Sequence, residues 1–102
     1  MHTKPPPSQE DLRRWFDYHP DGYFVARMAW DNPIMPGTTV KGSHEQYPRV
    51  ELGGEKYSLH RLIYMWHKGA VPDIVDHEDR NTHNARIGNL RDGTGGVNAR
   101  NT

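Results

Sequence analysis

The apolar residues of this chain come in short bursts, and rings dominate them. Trp15, Phe16, Tyr18, Tyr23, Phe24, Trp30, Tyr57, Tyr64 and Trp66 are scattered through otherwise polar sequence. A fold built on that pattern has small elements, and the aromatic side chains are expected to supply most of its buried area. Only 33% of the 102 residues are hydrophobic, which supports one modest core and leaves room for a metal or a partner to help hold it. No apolar run approaches the ~20 residues of a membrane span, and no charged-then-apolar leader opens the sequence. The expected location is therefore cytoplasmic, without membrane association.

Cysteine is absent, which excludes disulfide scaffolds, thiol nucleophiles and cysteine-containing zinc sites. Imidazole, carboxylate and amide remain as ligands. The 13 basic and 13 acidic residues cancel, so total charge points to no polyanion. Their distribution is less even. Asp73, Asp76, Glu78 and Asp79 form an acidic knot, and Arg80, Arg86, Arg91 and Arg100 follow it against Asp92 alone. A carboxylate cluster for a cation beside arginines for phosphate is one reading of that order, and an ordinary mixed surface is the other.

Punctuation divides the chain. Residues 1–7, with three consecutive prolines, read as a flexible N-terminal arm, and residues 8–102 as one domain. Ser8-Gln9-Glu10-Asp11 matches a capping box and predicts a helix from Gln9 to Phe16. Asp17 to Gly22 reads as a turn, Tyr23 to Trp30 as a strand, and Asp31 to Gly42 as a loop. Tyr47 to Leu52 and Glu55 to Leu59 flank Gly53-Gly54, the signature of a tight β-hairpin. His60 to Lys68 predicts a helix stopped by Gly69. Ile74 and Val75 read as a short buried strand, Glu78 to Asn84 as a polar excursion, and Ile87 and Leu90 as anchors of the returning segment. Thr94 can cap a last helix carrying Val97 and Asn98, which Gly95 and Gly96 weaken. The expected class is α+β: a small antiparallel sheet with a helix over residues 8–56, then a helix and a strand-strand-helix unit over 57–102.

Asp76-His77 is the densest chemistry in the chain. Adjacent residues on a strand point to opposite faces, so the carboxylate can hold a hard cation while the imidazole works on the other side. A neutral imidazole has the pKa range of a general base for water. His60 and His67 share one face of the predicted helix and suggest a zinc pair, against which a capping or core-edge role is the simpler reading. His83 sits in the polar excursion as a solvated histidine or a phosphate contact.

The ordered set Leu59-His60-Arg61-Leu62, Val71-Pro72, Val75-Asp76-His77, Asn81, Asn84, Arg86-Ile87, Asn89-Leu90-Arg91, Thr94 and Asn98 resembles the HNH endonucleases. The narrower resemblance is to the small phage and intron-associated branch with a His-Asn-Asn motif. It implies a ββα-metal (His-Me finger) fold around one divalent cation, Mg²⁺ with Mn²⁺ as the alternative, and a phage-encoded protein acting on DNA in a bacterial host. By the same resemblance His77 is the general base, Asp76 and Asn98 are the metal ligands, and Asn89 is the structural residue that orients His77. Arg80, Arg91 and Arg100 are candidate DNA-phosphate contacts. Arg80 stands where glycine is common in the family, and Ala85 replaces a frequent asparagine. The implied reaction is hydrolysis of DNA phosphodiesters, by nicking or by double-strand cleavage, in a monomer or a dimer. Two rivals stand beside it: a non-catalytic DNA-binding module on the same fold, and a zinc-stabilised interaction domain, which the lack of cysteine disfavours.

Overall fold

The structure, a computed structural model, describes residues 6–94. Helix α1 spans Gln9–Trp15, and its N-terminus is capped as the sequence requires: Ser8 Oγ accepts from Asp11 N at 3.1 Å. Strand β1, Phe16–His19, follows without a break and pairs antiparallel with β2, Tyr23–Ala26. Strand β3, Thr39–Val40, adds to the far edge of β2. Strands β4, Arg49–Leu52, and β5, Glu55–Ser58, form the hairpin, with Gly53 and Gly54 both at positive φ (60° and 92°). Helix α2 spans Leu59–Lys68, and β6, Val75–His77, pairs antiparallel with β7, Leu90–Asp92. One 3₁₀ turn, Ile87–Asn89, leads into β7.

Helix α2 is the element the others gather on. Leu59, Leu62 and Ile63 recur at helical spacing and are buried, and Gly69 ends the helix in the left-handed region (φ 82°), its N–H donating to Met65 O. Trp66 fastens α1 to it: Trp66 O accepts from Gln9 Nε2 and Arg13 Nε, and the Arg13 guanidinium lies 4.6 Å from the centre of the Trp66 ring. Trp66 Nε1 in turn donates to Phe16 O. Phe16 and Phe24 stack at 4.8 Å and, with Leu12 and Ile63, are the largest fully buried side chains. Val40, Val50, Leu52, Val75, Ala85 and Leu90 complete the same cluster, so front and back halves share one core.

Several expectations are corrected here. Asp17 to His19 is strand rather than turn, because Phe16 and Tyr18 both point inward, Tyr18 lying edge-on against His67 at 4.3 Å. The strand predicted over Tyr23 to Trp30 stops at Ala26. Asn32 Nδ2 donates to the carbonyls of Trp15 and Arg27, while Arg14 and Trp15 hold Asp31, so the chain is pulled off the ladder into a turn. Trp30 is left 94% exposed, contrary to the expectation that it is buried. Thr39–Val40 within the predicted loop is a strand. Ile74 is 57% exposed and precedes the strand, which runs from Val75 to His77 and so carries Asp76 and His77 as expected. Among the described residues the single sheet predicted for the front half is two, of three strands and of two, while β6 and β7 form the separate pair expected in the back half. Helix α1 ends one residue earlier than predicted, α2 begins one residue earlier, and the hairpin stands. The arm falls outside the described residues except for Pro6 and Pro7, as does the last helix with Asn98 and Arg100.

Candidate active site

Strand alternation sorts the central pair. Val75 and His77 face inward and are buried, and Asp76 between them is half-exposed. Opposite Asp76 in the ladder stands Arg91, whose Nε and Nη2 both lie 3.2 Å from Asp76 Oδ2. Arg91 thus neutralises the carboxylate that sequence reasoning names as a metal ligand. The two roles expected of these residues meet on one oxygen.

The loop from Glu78 to Arg86 is a chain of amide and carboxylate bonds. Asn89 closes it: its Oδ1 accepts from Asp79 N at 3.0 Å, and its Nδ2 donates to Asp79 Oδ1 and Asn84 O, both at 2.9 Å. Asn89 O also accepts from Glu78 N, next to His77. Asp79 accepts further bonds from Asn84 Nδ2 and Asn81 N, and these, led by Asn84, hold its carboxyl below the usual carboxylate range. Arg80 N donates to His77 O, closing the turn, and Arg80 sits at φ 64°, the only non-glycine at positive φ among the described residues. An L-residue pays about 1–2 kcal/mol for that conformation. The turn after His77 therefore has the backbone of a glycine position with an exposed arginine in it.

The front half buttresses this loop. Tyr18 Oη accepts from Ile87 N at 2.9 Å. Gly22, at φ 96°, packs so closely that a Cβ there would stand 2.7 Å from Arg86 N and 2.9 Å from Ala85 C. The turn between β1 and β2 can approach only because that residue has no side chain. On another side Thr82 Oγ1 donates to Gln46 O, which ties the segment before β4 to the loop.

His77 is 5% exposed and His60 7%, and their ring centroids lie 4.7 Å apart. Burial pushes the His77 pKa down, against the opposing pull of Asp76 and Asp79, so the ring is neutral at neutral pH. Burial, then the neighbouring His77 and Arg61, pushes His60 down to about 4. His67 lies elsewhere, its Nδ1 3.0 Å from Ile63 O and its ring against Tyr18 and Trp66, so no pair with His60 exists. The resemblance seats His60-Arg61 in the helix behind the site; the approach of the His60 ring to His77 is what sequence reasoning did not give. Its signal was position: the second residue of a helix whose first N–H, from Leu59, is received by Pro48 O at the edge of the site.

Among the described residues, no group of three or more histidines and carboxylates is arranged for a metal. The donors at hand are the single carboxylate of Asp76, which already holds one cationic group, and the exposed oxygens of the following loop. Such a sparse, hard-oxygen set fits a cation of the Mg²⁺ type, which keeps several waters and takes one or two protein ligands plus substrate phosphate. It does not fit a closed structural zinc site. No helix among the described residues is long and apolar enough to cross a membrane.

Residues 57–100 match the family model described as HNH endonuclease. The match runs from the end of β5 through α2 and the β6–β7 unit, supports the HNH endonuclease family, and with it a nuclease or DNA-binding function. No curated protein and no solved structure matches the chain.

Proposed function

From the match of residues 57–100 to the HNH endonuclease family, we propose that this chain is a metal-dependent DNA endonuclease in which His77 is the general base. One observation carries the reading. A neutral, buried imidazole and a half-exposed carboxylate diverge from adjacent positions of one strand, and a polar loop bonded through Asn89 holds their backbone. A base must be deprotonated when water arrives, and the depressed pKa of His77 keeps it so. Asn89 acts by fixing Glu78 and Asp79, which fixes the carbonyl and ring of His77.

Asp76 is the carboxylate that would hold a divalent cation, Mg²⁺ or Mn²⁺, with Asn98 as the second ligand. Such a cation supplies stabilisation of negative charge on the phosphate and on the leaving oxygen. Arg80, on the turn after His77, and Arg91, across the ladder from Asp76, would contact the phosphate backbone, and Arg100 belongs to the same proposal. DNA is the substrate class this family implies. A non-catalytic DNA-binding module on the same fold is the alternative.

Conversion of supercoiled plasmid, run with Mg²⁺, with Mn²⁺ and with EDTA, tests the proposal. Metal-dependent appearance of nicked or linear product is expected. DNA binding with no product under any metal would replace the nuclease by the binding module.

A further inference from the structure

His60 and His77 hold an arrangement that hydrolysis by His77 alone leaves unexplained. Each ring has one nitrogen sealed from solvent with no hydrogen-bond partner among the described residues, Nδ1 of His60 and Nε2 of His77. The rings lie 4.7 Å apart at 58°. The Tyr47 ring, 6.0 Å from His60 and 6.4 Å from His77, stands by both, on the segment that Thr82 ties down. A sealed polar atom without a partner is costly, and two such nitrogens on adjacent rings satisfy each other only when one carries a proton and the other does not. Of the two possible assignments, one is compatible with a base. With Nε2 of His77 sealed, the lone pair that takes a proton from water must be on Nδ1, so the hydrogen must be on Nε2.

We propose that His60 is a positioning residue: although neither nitrogen has a partner in the structure as it stands, a small turn of the adjacent rings lets the bare Nδ1 of His60 accept the hydrogen of His77 Nε2 directly, which fixes the tautomer that leaves the His77 Nδ1 lone pair for substrate. The burial that keeps His60 uncharged keeps Nδ1 available for this. The inference rests on the reading of His77 as base, but its primary test does not need activity.

Long-range ¹H–¹⁵N correlation of the imidazoles in the ¹⁵N-labelled full chain at neutral pH reads both tautomers without DNA or metal. Both His60 and His77 are expected to be protonated on Nε2 with Nδ1 bare, and a His77 protonated on Nδ1 overturns the proposal. His60→Asn places an amide oxygen near the position of Nδ1, whereas His60→Phe fills the space without an acceptor. In His60→Phe the His77 pattern is expected to lose its pure Nε2–H character, and kcat for plasmid cleavage to fall about 10- to 100-fold with KM for DNA unchanged, as for loss of other partners that orient a histidine. His60→Asn is expected to restore both. A folded His60→Phe with the His77 pattern and kcat of the wild type would contradict the proposal, and if that variant does not fold the wild-type spectrum decides. Absence of cleavage in the wild type would remove the nuclease reading and leave the spectrum to judge the tautomer.

Discussion

Three residues around His77 make separable predictions. Asn89→Ala removes one accepted and two donated side-chain bonds from the loop. At a net worth of about 0.5–1.5 kcal/mol each, the loss is about 2 kcal/mol, visible in urea titration, and cleavage is expected to fall with it. Arg80→Gly relieves the positive φ and is expected to raise stability by about 1 kcal/mol while weakening DNA binding, which a thermal melt and a salt-dependent binding assay separate. His60 links stability to pH. Its folded pKa, about 4, lies below the ordinary 6.5, so the unfolded chain binds the proton more readily and protonation favours unfolding. Stability is full above pH 6.5 and falls as pH drops toward 4, by up to about 3 kcal/mol at ~1.4 kcal/mol per pKa unit. His67 and His77 are shifted the same way. Urea midpoints measured across that range should flatten in His60→Phe. What was legible at this scale was the Asp76-His77-Asn89 order. The approach of His60 was not, because it joins a helix start to a strand end across the core and no local spacing encodes it.

At the scale of elements, the β1–β2 turn and the loop before the 3₁₀ turn are fitted to each other through Gly22. Gly22→Ala adds a Cβ into the Ala85–Arg86 backbone in a left-handed conformation. It is expected to cost about 2 kcal/mol or more and to lower cleavage by displacing the loop, whereas Gly54→Ala, also at positive φ but with open space around it, costs only the strain. Paired thermal melts and activities check this difference. Legibility followed locality here too. The Ser8 cap, the Gly53-Gly54 hairpin and the Gly69 stop are local signals, and each is where the sequence placed it. The end of β2 was misread because β-propensity through Trp30 was overruled by Asn32 and Asp31, whose partners on α1 lie more than a helix length away in sequence.

For the whole molecule, a thin aromatic core shared by front and back means that the site is only as firm as the packing of α2 on its neighbours. A cation bound to the folded chain alone must add stability by mass action, about 2.7 kcal/mol at a hundredfold excess over Kd. Mg²⁺ or Mn²⁺ is therefore expected to raise the thermal midpoint, EDTA to reverse the rise, and Asp76→Ala to abolish it. The segment from 57 to 100 was readable as a family resemblance because its residues stand in a recognisable order within one short stretch of chain. How the front half supports it was not, since Tyr18 on Ile87 and Gln46 on Thr82 are contacts between distant parts of the chain. The most direct measurement is the single-turnover rate of plasmid cleavage by His77→Ala beside wild type, with DNA affinity determined on the same preparations. If His77 is the base, the rate falls by about 10²- to 10⁴-fold while affinity is retained. Cleavage at the wild-type rate by a folded His77→Ala would contradict the assignment.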